Sequence, residues 1–400
     1  MLANYIQMYT LIRYPLITYV FCLLSALALN IEAKQVTNYK ISASSPACKN
    51  VWKRKQVGAN VFNHDINEAY VKALREFGIN FVRIAFDKFA TQHRDFLFGN
   101  CDNYIALVDE DLVRLKATLD IFAKYEIKVI VTFLSLPGSR WRQNNYGNDD
   151  LRIWKEEKFR KQAVAFWKDL ARALQGHPAI VGYNILNEPH PQKLYKNALC
   201  DKDKTEIALM LHDFYTQVVQ AIRLIDDNIT IVLDSSDYAS PEAFEYFYPI
   251  NDDNVVYSFH MYEPQDYTNR LRNNGKVKYP NNLLNKSTLQ EILHPVLAFQ
   301  KKHNIPSDKI FVGEFGANRL SLQVEIYLKD LVSIFNEANW HRAFFAFRQD
   351  GWSGMDYELV GPLNQEYWRK VDASKKGELC VIEERAKLRK SKKIIQILLS

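Results

Sequence analysis

Two glutamates in this 400-residue chain each follow a short apolar run. Glu188 comes after the run at 180–186, and Glu314 comes after the run that begins at Ile310. Apolar runs of this length between turn-forming residues are typical of buried parallel strands. A strand core does not tolerate a bare carboxylate, so both side chains are expected at the carboxyl ends of their strands, partly desolvated. Two carboxylates placed in this way suit paired acid–base and nucleophilic catalysis.

Other polar residues also stand at the ends of predicted strands. Arg83 ends the second strand, Asn187 the fourth, and His260 and Tyr262 the sixth. Beyond the eighth strand come Arg348, Asp350, Trp352 and Asp356. If all these strand ends meet, one rim carries two carboxylates, an imidazole, a phenol and a guanidinium. The simpler interpretation is that the glutamates pair with Arg83 in a structural salt bridge and that His260 is a core residue.

The elements that must position these residues alternate regularly between strand and helix. Strands are predicted at 57–62, 80–86, 128–134, 180–186, 230–234, 255–262, 310–313 and 342–347. Helices are predicted at 66–77, 112–122, 156–174, 207–225, 241–247, 289–303 and 323–338. Eight such units without a composition break predict an α/β protein, a single (β/α)8 TIM barrel spanning 34–380. The alternative is a doubly wound open sheet, which no Gly-rich phosphate loop after the first strand supports.

Composition and the two termini indicate the class of protein. With 48% hydrophobic and 24% charged residues the chain can bury a large core. Its net charge of +6 comes without a nucleic-acid recognition motif and does not favour a nucleic-acid partner. The apolar run at 15–29 predicts a signal peptide at 1–33, or a retained anchor, and hence a secreted protein, extracellular or periplasmic. The tail at 381–400 is basic and either forms a last barrel helix or makes weak membrane contact.

Removing the leader leaves four cysteines, namely Cys48, Cys101, Cys200 and Cys380. They allow two disulfides in three pairings, or four thiols, and the sequence does not choose among these. Their spacing matches no zinc pattern.

Asn187-Glu188-Pro189 on strand four and Val-Gly-Glu314-Phe-Gly on strand seven, with His260-Met-Tyr262 between them, resemble glycoside hydrolase family 5, the cellulase-type family. The resemblance implies a retaining enzyme in which Glu188 is the acid and base and Glu314 the nucleophile. It implies that Arg83 and Tyr262 hold Glu314, that Asn187 bonds the sugar's 2-hydroxyl, and that His260 lies near the acid. It also implies that Trp352 stacks on a sugar ring, and that no metal or nucleotide cofactor is required.

One departure and several alternatives remain open. The family carries a histidine at the end of strand three, where this chain has 132–138 with Ser135 and no histidine, which indicates a divergent subfamily. The expected substrate is an oligo- or polysaccharide, a β-glucan or mannan, cleaved by a monomer in endo or exo fashion. The alternatives are a non-catalytic carbohydrate-binding protein on a hydrolase scaffold and a membrane-attached structural protein. Trp141 and Tyr267 are further candidate sugar platforms, although each could equally be a surface aromatic.

Overall fold

The computed structural model describes residues 51–63, 66–86, 94–140, 142, 145–270, 272, 277–350, 354–360, 365–373 and 386–400. The predicted leader at 1–33, together with Cys48, Trp141, Trp352 and Cys380, lies outside the described residues. Cys101 and Cys200 are both described and form no disulfide with each other, so the pairing that joins them is wrong and the other arrangements stay open.

Eight parallel strands form a closed barrel in which each strand pairs with its neighbours in sequence and the last pairs with the first. They are β1 Val57–Phe62, β2 Phe81–Phe86, β3 Lys128–Phe133, β4 Ile180–Asn184, β5 Thr230–Asp234, β6 Val255–Met261, β7 Ile310–Phe315 and β8 His341–Phe344. Nearly all strand residues are buried, as expected of a parallel sheet with a filled interior and a covering of helices. The predicted (β/α)8 barrel is confirmed.

Helices cover the outside of the barrel. They are α1 Glu68–Glu76, α2 Asp109–Lys124, α3 Glu157–Leu174, α4 Asp201–Arg223, α5 Lys286–His303, α6 Val324–Glu337, α7 Gln365–Ala373 and α8 Lys393–Leu399. Shorter pieces are the one-turn segments Arg152–Lys155, Ser236–Ala239 and Gln265–Thr268, the 3-10 turns Pro191–Leu194, Glu242–Glu245 and Ser307–Lys309, and a two-residue ladder of Arg94–Asp95 with Gly99–Asn100. After β5 the predicted helix at 241–247 is reduced to the 3-10 turn.

Local sequence explains where several helices begin and end. The Asn67 side chain accepts a hydrogen bond from the Tyr70 amide at 2.9 Å and so caps α1. Asn285 caps α5 in the same way, and Asn304 ends that helix in the left-handed conformation. The apolar stripe of each long helix faces the strands, so the main core lies between the two layers.

The barrel interior has an apolar base and a polar upper layer. The base is formed by Trp52, Phe81, Ile130, Val181, Val232, Val256, Phe311 and Ala343. The Trp52 indole closes it from below and donates to the Val181 carbonyl at 2.9 Å. Side chains two positions apart share one face of a strand. The next inward positions on β2, β3, β5 and β6 are therefore Arg83, Thr132, Asp234 and Ser258, all fully buried. The fold thus places a polar cluster directly below the carboxyl-end rim.

The C-terminal helix α8 packs against α6. Ile395 and Leu398 are buried, and Arg342 donates to the carbonyl oxygen of Ser400 at 2.5 Å. Residues 393–399 of the predicted basic tail are therefore a barrel helix whose apolar side chains the barrel covers. Across the described residues we find no helix that combines the length and apolar character needed to span a bilayer.

Candidate active site

Glu314 lies near the carboxyl end of β7 and is held by two side chains. Arg83 Nη1 lies 2.7 Å from Glu314 Oε1, and the Tyr262 hydroxyl donates to Glu314 Oε2 at 2.8 Å. The Glu314 side chain is 9% exposed and Arg83 is fully buried. A guanidinium and a phenol on its two oxygens stabilise the ionised carboxylate and fix its orientation.

The Arg83 guanidinium is itself fixed by amide oxygens from two other strands. Its Nε donates to Asn184 Oδ1 at 2.8 Å, Nη1 to Asn60 Oδ1 at 3.0 Å and Nη2 to Asn187 Oδ1 at 2.6 Å. All three asparagines are buried. With Glu314 this gives the guanidinium four acceptors. Its buried charge is therefore compensated, and the group is held against rotation.

Glu188 lies four residues beyond the end of β4, in a left-handed conformation with φ of 48°. Its Oε1 lies 2.7 Å from His260 Nδ1, and its backbone amide donates to Asp234 Oδ2 at 3.2 Å. Burial, with the negative charge of Asp234, raises the pKa of Glu188 to about 8, and the Arg83 charge offsets part of this rise. Burial lowers the pKa of His260. Both shifts favour a proton on Glu188, which then donates to a neutral imidazole.

The two carboxyl groups lie close to each other. One oxygen of Glu188, one oxygen of Glu314 and a ring nitrogen of His260 all lie within 4.8 Å of one another. Retaining glycosidases hold their carboxyl groups roughly 5 to 5.5 Å apart, whereas inverting enzymes need roughly 6.5 to 9.5 Å to admit a water. An oxygen pair within 4.8 Å is compatible with the retaining spacing. The same three groups are of the types that bind metal ions, but the Arg83 charge 2.7 Å from Glu314 disfavours a cation there.

The structure brings six of the predicted site residues together, namely Arg83, Asn187, Glu188, His260, Tyr262 and Glu314. The seventh, Trp352, lies outside the described residues. Tyr267 is fully buried against Tyr279 and Tyr327, so both its interpretation as a sugar platform and its interpretation as a surface residue are wrong.

The acidic residues that follow strand eight form ion pairs away from the two glutamates. Asp350 is bonded to Arg319 and to the Tyr367 hydroxyl, and Asp356 is 2.9 Å from Arg389. Arg319 follows β7, Tyr367 lies on α7 and Arg389 precedes α8, so none of these partners is one of the two glutamates. These ion pairs give both aspartates a structural role.

Sequence reasoning missed four residues at the site. Asn60 and Asn184 anchor Arg83, and Asp234 contacts the Glu188 amide. Phe345, directly after β8, packs edge-to-face on Tyr262 with 6.3 Å between ring centroids. The available signal for Asp234 was its place at the end of the predicted fifth strand, a position equivalent to those of the residues that were singled out.

At the end of β3, where the family pattern has a histidine, Ser135 is buried and 4% exposed. Within the described part of the chain its hydroxyl has no hydrogen-bond partner. The departure seen in the sequence is thus a real difference in the polar lining of this part of the barrel.

Comparisons with known proteins show the sequences and folds to which this chain is similar. The family model for "Cellulase (glycosyl hydrolase family 5)" matches residues 40–351. An endoglucanase C from Acetivibrio thermocellus is 23% identical over 342 residues, which cover 76% of this chain and 90% of that protein. A beta-xylosidase from Phanerodontia chrysosporium is 24% identical over 321 residues, covering 74% of this chain and 58% of that protein.

Solved structures show the same fold. A hyperthermophilic endo-beta-1,4-glucanase in complex with substrate superposes with a TM-score of 0.59 at 20% identity, covering 75% of this chain and 91% of that one. Cel5A from Thermotoga maritima, in complex with mannotriose, gives 0.57 at 18% identity, covering 74% of this chain and 92% of that one.

Proposed function

The chain belongs to glycosyl hydrolase family 5, the cellulase family, and is a glycosidase, and on this premise we propose that it cleaves β-linked polysaccharides with retention of anomeric configuration. Glu188 is the acid and base of the proposed reaction and Glu314 its nucleophile. The observation that carries the proposal is a pair of carboxyl groups with one oxygen each within 4.8 Å, Glu314 bonded to Arg83 and Tyr262 and Glu188 buried with a raised pKa.

In the first step Glu188 gives its proton to the glycosidic oxygen while a Glu314 oxygen bonds to the anomeric carbon. The bond from that carbon to the leaving oxygen breaks, and the leaving sugar departs as an alcohol. In the second step the Glu188 carboxylate takes a proton from water, whose oxygen bonds to the anomeric carbon. As that bond forms, the bond from the anomeric carbon to the Glu314 oxygen breaks, which leaves Glu314 as a carboxylate and Glu188 protonated as at the start.

The surrounding residues support these roles by their contacts. Arg83 and Tyr262 hold both oxygens of Glu314, which keeps the nucleophile ionised and directed at the anomeric carbon. Because the Asn187 carbonyl oxygen accepts from Arg83, its amide NH2 is left to bind the sugar's 2-hydroxyl. His260 accepts the Glu188 proton in a hydrogen bond and leaves it available for transfer.

We propose a β-1,4-glucan as the first substrate to test and a β-mannan as the second. Support for the glucan is that relatives are named endoglucanases, and support for the mannan is the mannotriose complex of a structural neighbour. The apolar leader proposed at 1–33 supports a secreted protein. We propose separately that the catalytic domain at 34–380 works as a monomer.

The test is hydrolysis of β-glucans, mannan, xylan and aryl β-glycosides by the purified protein, with Glu188→Gln and Glu314→Gln as blanks. We expect turnover of one polymer class, lost in both variants, and a first-formed product of β configuration by NMR. A product of α configuration would overturn the retaining mechanism. A folded protein that binds glycans but turns over none of them would favour the carbohydrate-binding alternative.

A further inference from the structure

Asp234 is a buried carboxylate to which the mechanism above assigns no role. It ends β5, is fully buried, and lies on the side of the barrel that carries Glu188. Its Oδ1 accepts from Asn184 Nδ2 at 3.1 Å, and its Oδ2 accepts from the Glu188 backbone amide at 3.2 Å. A buried charge is retained where its contacts serve a purpose, because burying it costs several kcal/mol.

His260 lies between Asp234 and the Glu188 carboxyl group. On one side its Nδ1 is 2.7 Å from Glu188 Oε1, and on the other its Nε2 is 3.6 Å from Asp234 Oδ2. Among the described residues, His260 Nε2 has no hydrogen-bond partner within 3.5 Å. A neutral imidazole that accepts at Nδ1 carries its hydrogen on Nε2, and the negative charge of Asp234 favours that tautomer.

Asp234 also fixes the backbone that carries the acid. Glu188 has a positive φ, a conformation that a non-glycine residue adopts only where its surroundings hold it. The bond from the Glu188 amide to Asp234 Oδ2 supplies such a constraint. One carboxylate therefore acts on Glu188 by two routes, through the main chain and through the imidazole.

We propose that Asp234 is a positioning residue that holds Glu188 in place as the general acid, acting through His260 and the Glu188 backbone amide. The inference rests on the proposed function, because it assigns the general acid to Glu188. In the reaction Asp234 stays a carboxylate, His260 keeps its hydrogen on Nε2, and only the Glu188 proton is transferred.

Several other groups face Glu188 and act on its charge. They are His260 on β6, Tyr262 directly after β6, Arg83 on β2, Glu314 on β7, and Tyr238 in the one-turn segment after β5. Arg83 opposes the effect of Asp234, because a positive charge favours the ionised acid. Asp234 itself is faced by His260, Arg83 and the buried Tyr215.

The test compares wild type with Asp234→Asn on two aryl β-glycosides, one with a poor leaving group and one with a dinitrophenol. The poor leaving group needs the proton, so we expect its kcat/KM at pH 7 to fall roughly tenfold or more. The dinitrophenolate leaves without protonation, so its kcat/KM should change less than about threefold. Removing the charge also moves the basic limb of the pH profile down by about one pH unit. Asp252→Asn, in a partly buried carboxylate paired with Arg223, is the matched control and should leave both values unchanged.

If Asp234 had only a structural role, Asp234→Asn would lower kcat/KM equally for both substrates and leave the basic limb of the pH profile in place. That result would overturn the inference. If Asp234→Asn does not fold, Asp234→Ser removes the same charge and leaves room for a water. Failure of the proposed function looks different, since Glu188→Gln and Glu314→Gln would then retain activity. Loss in those two variants with an unchanged pH limb in Asp234→Asn would reject the role of Asp234 alone.

Discussion

Arg83→Lys tests whether the fork of the guanidinium, and not only its charge, holds the site. The native side chain reaches four oxygens from three nitrogens, and all four acceptors are buried. A lysine ammonium has three donors on a single nitrogen and cannot lie near four separated oxygens. At least two buried amide oxygens are then left without a partner.

Each unsatisfied buried acceptor costs about 1–3 kcal/mol, so the free energy of unfolding should fall by about 2–6 kcal/mol. With an unfolding entropy of about 0.7 kcal/mol/K for a barrel of this size, the Tm should fall by about 3–9 °C. Glu314 keeps its Tyr262 bond but loses the fixed Arg83 contact. Because a displacement of about 1 Å costs about 100-fold in rate, kcat should fall by about that factor.

The measurements are calorimetry and steady-state hydrolysis on the same preparation. Arg223→Lys is the control, because that arginine holds Asp252 through bonds of 2.7 and 3.0 Å at the end of α4, far from the carboxyl-end rim. It should lose stability and keep its kcat. An Arg83→Lys protein with kcat within about threefold of wild type would refute the view that the fork orients the nucleophile.

Three further predictions concern the same groups. The raised pKa of Glu188 predicts that kcat/KM for a poor leaving group holds until about pH 8 and falls above it, and a basic limb near pH 5 would contradict this. The pKa of Glu188 in the folded protein lies above that of a glutamate in the unfolded chain. Glu188 therefore contributes to the free energy of unfolding at low pH, and this contribution is lost as pH rises through 8. Calorimetry from pH 5 to 9 should therefore show Glu188→Gln gaining in Tm over wild type. Tyr262→Phe removes the bond to Glu314 Oε2 and should lower kcat about 10–100-fold while the Tm changes by less than about 3 °C. A fall in kcat that comes with a larger fall in Tm would argue for a packing role instead. Gly313→Ala places a Cβ 2.6 Å from Ser258 Oγ and 3.0 Å from His260 Nε2, so His260 must move and kcat should fall. Gly182→Ala is the control, because its Cβ would lie 3.3 Å from the nearest atom, and it should lower kcat less.

The barrel was predictable from the sequence because its strands are continuous apolar runs separated by helical stripes. In a parallel barrel the carboxyl ends of all strands meet at one rim, so polar residues at those ends are brought together whatever their distance in sequence. Glu188 and Glu314 were found in this way, as were Arg83, His260 and Tyr262.

The same rule also covers Asp234, but it does not show which groups a buried residue contacts. Asp234 is 46 positions from Glu188, and nothing in its local sequence shows that it accepts from that amide. Tyr267 lies in a loop, where aromatic character alone does not distinguish a buried residue from an exposed one. Asp350 is paired with Arg319, which lies 31 positions away, so only the folded chain shows its role.

The bonds of Arg83 have a consequence for when the site exists during folding. Its four partners lie 23, 101, 104 and 231 positions away, so no short segment of chain can compensate its charge. Until β7 joins β2 across the interior, the guanidinium either stays hydrated or is buried at a high cost. The site should therefore assemble late, and in native-state hydrogen exchange the amides of β2, β4 and β7 should open together, only through global unfolding. Substrate loops on the rim can then change without loosening the carboxylate pair beneath them.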